Sequence, residues 1–151
     1  YDEVVDLLAK KGVQFKWGDD LSWIEEKQLT EEFDKPFFVT HFPKGVKAFY
    51  HKPDSKRPEV TLSADLLASE GYGEITGGGQ RIDDLNELLA RIKEKNLNPK
   101  DYAWYIDLRR YGSVPHSGFG LGVERTVAWI CKLDHIRDAI AFPRLINRVY
   151  P

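Results

Sequence analysis

Eight of the twelve glycines in this 151-residue chain fall in two short stretches, and these constrain the fold more than any other feature. Gly71 to Arg81 holds five glycines in eleven positions, with Glu74 and Arg81 as its only charges. Glycine weakens helices and lets backbone N–H groups approach an anion or a flat ligand closely. By itself the triplet Gly77-Gly78-Gly79 reads as a bulge or a hairpin turn. The second stretch sets Gly118, Gly120 and Gly122 at alternate positions. Alternate residues of an extended strand point the same way, so this backbone is bare on one side and offers a floor for a planar ring. A dinucleotide-binding fingerprint fails there, because it needs glycine where Val123 stands.

Around these stretches the pattern alternates between helical and β-type segments. Val4, Val5, Leu7 and Leu8 have helical spacing ahead of Gly12, and Ser22 with Glu25 forms a capping box for a helix over Trp23 to Asp34. Phe37 to His41, Val46 to Tyr50 and Glu59 to Leu67 read as strands of an antiparallel meander, with Gly73 to Thr76 as a further strand. Asp83 caps a helix through Ile92, and Asn98 with Pro99 opens another that Gly112 closes. Ser113 to Leu121 reads as extended or irregular, Val123 to Leu133 as an apolar helix, and Asp134 as the cap of a short last helix. Strands cluster before Arg81 and helices after it, so the expected class is α+β, an antiparallel β-sheet flanked by helices in a single domain over 1–151.

Charge and composition narrow the function. Twenty-two basic against 24 acidic residues give −2, too little positive field for nucleic-acid binding by bulk charge. No apolar run can cross a bilayer and no signal-peptide pattern opens the chain, so no membrane role and a cytoplasmic location are expected. The lone Cys131 lies in the apolar run Val127 to Leu133, which suits a buried helix. Methionine is absent, and the chain reads as a piece of a longer one.

Two constellations can carry chemistry. Asp65 stands on an otherwise apolar strand, where a carboxylate needs a cation. If its strand neighbours Gly73 to Thr76, Asp65 and Glu74 can converge on one hard divalent ion such as magnesium; otherwise Asp65 is a salt-bridge or turn residue and Glu74 a solvated strand end. Arg81 supplies a planar fork for a carboxylate, carboxamide or phosphate. In the second constellation, Gly122 leads into a helix whose first turn presents Glu124 and Arg125, and Arg125 can reach a polyphosphate. His116 has no nucleophile and orienting partner and reads as structural, and Ser113 and Ser117 lie in no nucleophile elbow. His41, His51 and His135 lack zinc spacing. Trp104 with Tyr105, and Arg109 with Arg110, read as the buried and wet sides of one helix.

At these constellations the sequence resembles the catalytic domain of class II aminoacyl-tRNA synthetases, in the aspartate/asparagine/lysine subgroup. GFGLGVER, Gly118 to Arg125, matches the third signature motif of that class, and GEITGGGQRI, Gly73 to Ile82, matches the subgroup's metal and amino-acid segment. WYIDLRRYGSVPHSGFGLGVER and the closing IRDAIAFPR resemble the asparagine-specific members more than the aspartate-specific ones. The resemblance implies the C-terminal portion of that catalytic core, without its N-terminal part or the anticodon-binding domain, and inactive as an isolated piece. It implies ATP-dependent activation of asparagine, transfer to tRNA, a Mg2+ requirement and a homodimeric parent. It further implies that Glu74 and Asp65 hold the metal, with Glu74 also at the ATP phosphates. Arg81 would grip the amino-acid side chain, Gly122, Val123, Glu124 and Arg125 would line ATP, and Glu74 and Arg125 would be the groups that act on the reacting phosphates. An aspartate-specific enzyme, a tRNA-independent relative that amidates aspartate, and a non-catalytic binding module on the same scaffold are the alternatives.

Overall fold

The computed structural model describes residues 1–150. Four strands, β1 (Phe37–Thr40), β2 (Ser63–Ala68), β3 (Gly73–Gln80) and β4 (Ser117–Leu121), form one sheet in the order β1-β2-β3-β4. Every pairing is antiparallel. The expected α+β class and antiparallel sheet are therefore present, but three expectations about strands need correction. Val46 to Tyr50 forms no strand; it turns so that Phe49 enters a helical core instead. The segment from Glu59 becomes ladder only at Ser63, with Val60 and Thr61 making isolated bridges. The triplet Gly77-Gly78-Gly79 is strand interior, not a turn. At Gly78 a Cβ would lie 2.8 Å from the Gly118 carbonyl oxygen, so a side chain would push β3 and β4 apart.

One irregularity decides which side chains share a face. Asp65 pairs with Gly77 and Leu66 with Thr76, but Leu67 pairs with Glu74, leaving Ile75 as an extra residue on β3. Glu74 and Gly77 are three positions apart and would face opposite ways in a regular strand. The bulge restores the parity. Val39, Asp65, Leu67, Glu74, Gly77, Gly79, Gly118 and Gly120 consequently lie on one face of the sheet.

Two apolar cores hold this sheet. The first joins α1 (Asp2–Lys10) and α2 (Trp23–Thr30) to the β1–β2 side through Val4, Leu8, Leu29, Val39, Phe42 and Leu67. The Ser22–Glu25 capping box is present at the start of α2, a device worth about 1 kcal/mol. The helix ends at Thr30, one turn short of expectation. The second core packs α3 (Leu85–Glu94) and α4 (Ala103–Arg110) against the segment after β3 through Phe49, Ile82, Leu88, Ile92 and Ile106. Asp84, not Asp83, caps α3, because Asp83 is ion-paired with Lys52. Asn98 and Pro99 open a 3₁₀ turn, Pro99–Tyr102, that leads into α4. The last helix, α5 (Val123–Cys131), is followed by a 3₁₀ turn, Ile136–Ala139, capped by His135 and not Asp134.

Two further expectations fail on burial. Cys131 is exposed, as are Val123 and Ile130, because Ala128 is the one residue that α5 buries fully and its outer apolar positions face solvent. On α4 the wet and dry sides differ from expectation: Trp104 is exposed, whereas Arg109 is buried, donating to the Ile82 carbonyl at 2.8 Å and stacking on Tyr105. Arg110 is exposed as expected.

Candidate active site

The glycine at 77 makes room for two carboxylates. A Cβ there would lie 2.7 Å from Glu74 Oε1 and 3.5 Å from Asp65 Oδ1, so both acids occupy the same space above the sheet. Strand pairing of β2 with β3, required for that convergence, is present. Asp65 is 3% exposed and ion-paired with Lys47, whose ammonium also sits over the Phe42 ring. The salt-bridge role is thus real, and a metal ligand role would share Asp65 with Lys47. Burial, and then the Asp65 charge, push the Glu74 carboxyl above its usual range, with Lys47 and Arg125 pulling the other way. Two oxygen-bearing acids under such repulsion fit a hard cation, and magnesium takes one or two carboxylates plus substrate oxygens. Among the described residues no group of three or more His, Cys, Asp or Glu side chains could cage a metal.

Arg125, in the first turn of α5, donates from Nη1 to the Glu74 carbonyl oxygen at 2.7 Å. Burial raises the Glu26 and Glu74 pKa values, and the Arg125 charge opposes that rise, so it stands within electrostatic reach of both carboxylates. Gly122 brings α5 onto the bulge, its N–H bonding the Ile75 carbonyl at 2.8 Å. A Cβ on Gly122 would touch the Arg125 side chain at 3.4 Å, ordinary van der Waals contact. Val123 and Glu124 are exposed.

Arg81 lies at the far end of the same strand. Its guanidinium stacks 4.6 Å from the Tyr50 ring centre and sits under Gly118, where a Cβ would lie 3.1 Å from Nη2. Nη1 approaches His51 Nε2 at 3.4 Å. Burial first, then the Arg81 charge, push the His51 pKa down to about 4, so this imidazole is neutral and can accept from Arg81. His116 has contacts that suit the structural reading: its carbonyl accepts the Arg81 amide at 2.9 Å and its Nδ1 meets the Val114 carbonyl oxygen at 2.7 Å.

Among the described residues, neither of the two cavities beside the sheet contains all of Glu74, Arg81 and Arg125. Glu74 and Asp65 line a cavity of about 130 Å³ with Glu26, Lys47 and Asp20. Arg125 edges a larger one of about 410 Å³ between α2, the β2–β3 turn and the segment after α5. Arg81 borders neither. What joins them is an open surface: Glu74 and Arg81 at the two ends of a glycine floor, and Arg125 bonded to the Glu74 peptide. Sequence reasoning missed Glu26, Lys47, His51 and Tyr50. The helix spacing of Glu26 was legible, but its partner is the Glu74 amide, 48 residues away.

The family model described as "tRNA synthetases class II (D, K and N)" matches residues 9–146. The chain is 64% identical over its whole length to an asparagine-tRNA ligase of Pyrococcus horikoshii, of which it spans 35%. The crystal structure of the Pyrococcus horikoshii asparaginyl-tRNA synthetase complexed with asparaginyl-adenylate superposes with a TM-score of 0.97 at 64% identity, all of this chain on 35% of that one. The aspartyl-tRNA synthetase of Entamoeba histolytica gives 0.91 at 33% identity, with all of this chain on 32% of that one. The chain thus spans about a third of the length of these relatives. With a sheet whose bulge and glycine floor set two acids and two arginines around one face, and with that match over nearly its whole length, the chain belongs to the class II aminoacyl-tRNA synthetases of the aspartate, lysine and asparagine group.

Proposed function

We propose that this chain is the C-terminal part of the catalytic core of an asparagine-tRNA ligase, which activates asparagine with ATP and transfers it to tRNA. The observation that carries this is the shared sheet face bearing Asp65, Glu74, Gly77 and Gly120, with Arg125 tied to the Glu74 carbonyl. Eight asparagine-tRNA ligases with 54% to 64% identity support asparagine over aspartate. The parent polypeptide is a homodimer with an anticodon-binding domain outside this chain, and it works in the cytoplasm. Among the described residues no helix is long and apolar enough to cross a membrane.

The chemistry is attack of the asparagine carboxylate on the α-phosphorus of ATP, forming a C–O–P link as pyrophosphate leaves. Such a step asks for alignment and charge neutralisation more than for acid–base groups. Glu74, helped by Asp65, would hold Mg2+, which would neutralise phosphate charge. Arg125 exchanges the Glu74 carbonyl for a phosphate oxygen, a stronger charge-assisted contact. Gly120 and its neighbours let the nucleotide lie flat on the strands, and the first turn of α5, Gly122 to Glu124, borders it. Arg81, held by Tyr50 and His51, donates to the carboxamide oxygen of asparagine. An arginine fork alone would favour aspartate by charge, so rejection of aspartate needs a further group outside this chain. Pyrophosphate exchange by the full-length protein, with asparagine against aspartate, tests the assignment. Exchange with asparagine supports it, whereas exchange with aspartate alone, or asparagine formation from aspartate and ammonia without tRNA, overturns it.

A further inference from the structure

We infer that Glu26, on α2, is a positioning residue that fixes the Glu74 peptide at the bulge, and with it the direction of the Glu74 side chain. The inference rests on the proposal that Glu74 holds the metal. Glu26 is 8% exposed and one carboxylate oxygen accepts the Glu74 N–H at 2.9 Å. It takes part in no ion pair among the described residues. A buried acid without a cation is an expensive arrangement for a helix to carry. Its return is a charge-assisted bond to the residue next to the extra Ile75. The Glu74 peptide is then held from both sides, its N–H by Glu26 and its C=O by Arg125 at 2.7 Å.

The surroundings are shaped for this contact. Gly73 has φ +73° and a Cβ there would lie 2.6 Å from Glu26 Oε2, so glycine is required both by backbone and by space. The helix itself is docked on the hairpin: Leu29 is 1% exposed, Thr30 Oγ1 donates to the Glu26 carbonyl at 2.7 Å, and the Glu70 N–H donates to the Thr30 carbonyl at 3.0 Å. Rigid placement of α2 is therefore transmitted to one amide on β3. Arg81, at the other end of the strand, shares none of these contacts.

The test uses full-length protein carrying Glu26→Ala, Glu26→Asp or Glu26→Gln, with two readouts: hydrogen exchange of the Glu74 amide without metal, and the Mg2+ and asparagine dependence of pyrophosphate exchange. Alanine removes the acceptor and aspartate withdraws it by one methylene, so each speeds Glu74 exchange by about tenfold or more and raises half-saturating Mg2+ by a similar factor, as for loss of a charge-assisted bond. The asparagine KM stays within about twofold, since Arg81 is untouched. Glutamine keeps a neutral acceptor in place and recovers most of both readouts, short of the charge assistance. If Glu26→Ala unfolds, Glu26→Asp and Glu26→Gln carry the comparison. Unchanged Glu74 exchange in Glu26→Asp, glutamine behaving like aspartate, or an asparagine KM that rises in step with Mg2+ would each overturn the inference. Glu74→Gln serves as the control: if it leaves the Mg2+ dependence unaltered, the metal assignment fails, while the exchange data still judge the Glu26 contact on its own.

Discussion

Gly120 has nothing within 4 Å of the point where a side chain would begin, unlike Gly78 and Gly79, whose missing Cβ atoms would strike backbone. Its emptiness serves the surface above it and not the packing below. Gly120→Ala should therefore change stability by no more than about 0.5 kcal/mol. It should weaken ATP binding by about tenfold or more, because a methyl group would lift the nucleotide off the strands. Calorimetric titration with ATP, paired with a denaturant melt, separates the two. Removing Arg81 or Arg125 should cost about 2 to 4 kcal/mol of transition-state stabilisation. At the other end of the floor, His51 has its pKa pushed from 6.5 down to about 4. Between those values the unfolded chain binds a proton that the folded one refuses, so stability falls as pH drops from 6.5 towards 4. Glu26 and Glu74, with raised pKa values, work in the opposite sense. Comparison with His51→Gln, which keeps an acceptor for Arg81 but cannot titrate, isolates the histidine: the variant's thermal midpoint should decline less over that range than the wild type's.

The bulge at Ile75 is the element on which the site turns. Deleting Ile75 would regularise β3 and leave Glu74 two positions from Gly77, still on the Asp65 face, but it would remove the carbonyl that holds the Gly122 N–H, so Mg2+-dependent activation should fall through misplacement of α5 and Arg125 while strand content persists by circular dichroism. Ile75→Ala keeps the extra residue and should retain activity despite a stability cost of about 2 to 5 kcal/mol. No pattern in the sequence marks this bulge. Counted with a strict period of two, Glu74 and Arg81 fall on opposite faces, and only the register shift between Leu66 and Leu67 reconciles them. The glycine triplet was legible as a place of close approach but not as strand interior, since glycine is ordinarily a turn former and the demand for it here comes from Gly118 and Phe119 across the sheet. Local signals fared well where the physics is local: the Ser22–Glu25 box, the Asn98–Pro99 start and the Gly12 stop are all present. Val46 to Tyr50 carried β-type residues, yet tertiary packing claimed them, Phe49 for the second core and Tyr50 for Arg81. Cys131 was misjudged because apolar residues on α5 announce a buried helix without saying that this chain lacks the partner surface.

Across the whole molecule the two faces of the sheet differ. The face opposite Glu74 carries Phe38, Leu66, Phe119 and Leu121, and Phe38 and Phe119 are 64% and 74% exposed. With Val123, Ile130 and Trp104 also exposed, the chain presents large apolar side chains to solvent on this face and on its helices. The isolated 151-residue chain should accordingly bind an apolar dye such as ANS and fail to form asparaginyl-adenylate, and turnover by it would contradict its place as part of a larger catalytic core. The central claim concerns the opposite face, where two acids and Arg125 are proposed to act on one nucleotide across a glycine floor. It is tested most directly by a crystal structure of the full-length protein with Mn2+ and a non-hydrolysable ATP analogue, the metal located by its anomalous signal. The account predicts a peak about 2.1 Å from a Glu74 carboxylate oxygen, Arg125 released from the Glu74 carbonyl onto a phosphate, and the base resting above Gly120. A peak remote from Glu74, with Arg125 still bound to that carbonyl, would contradict it.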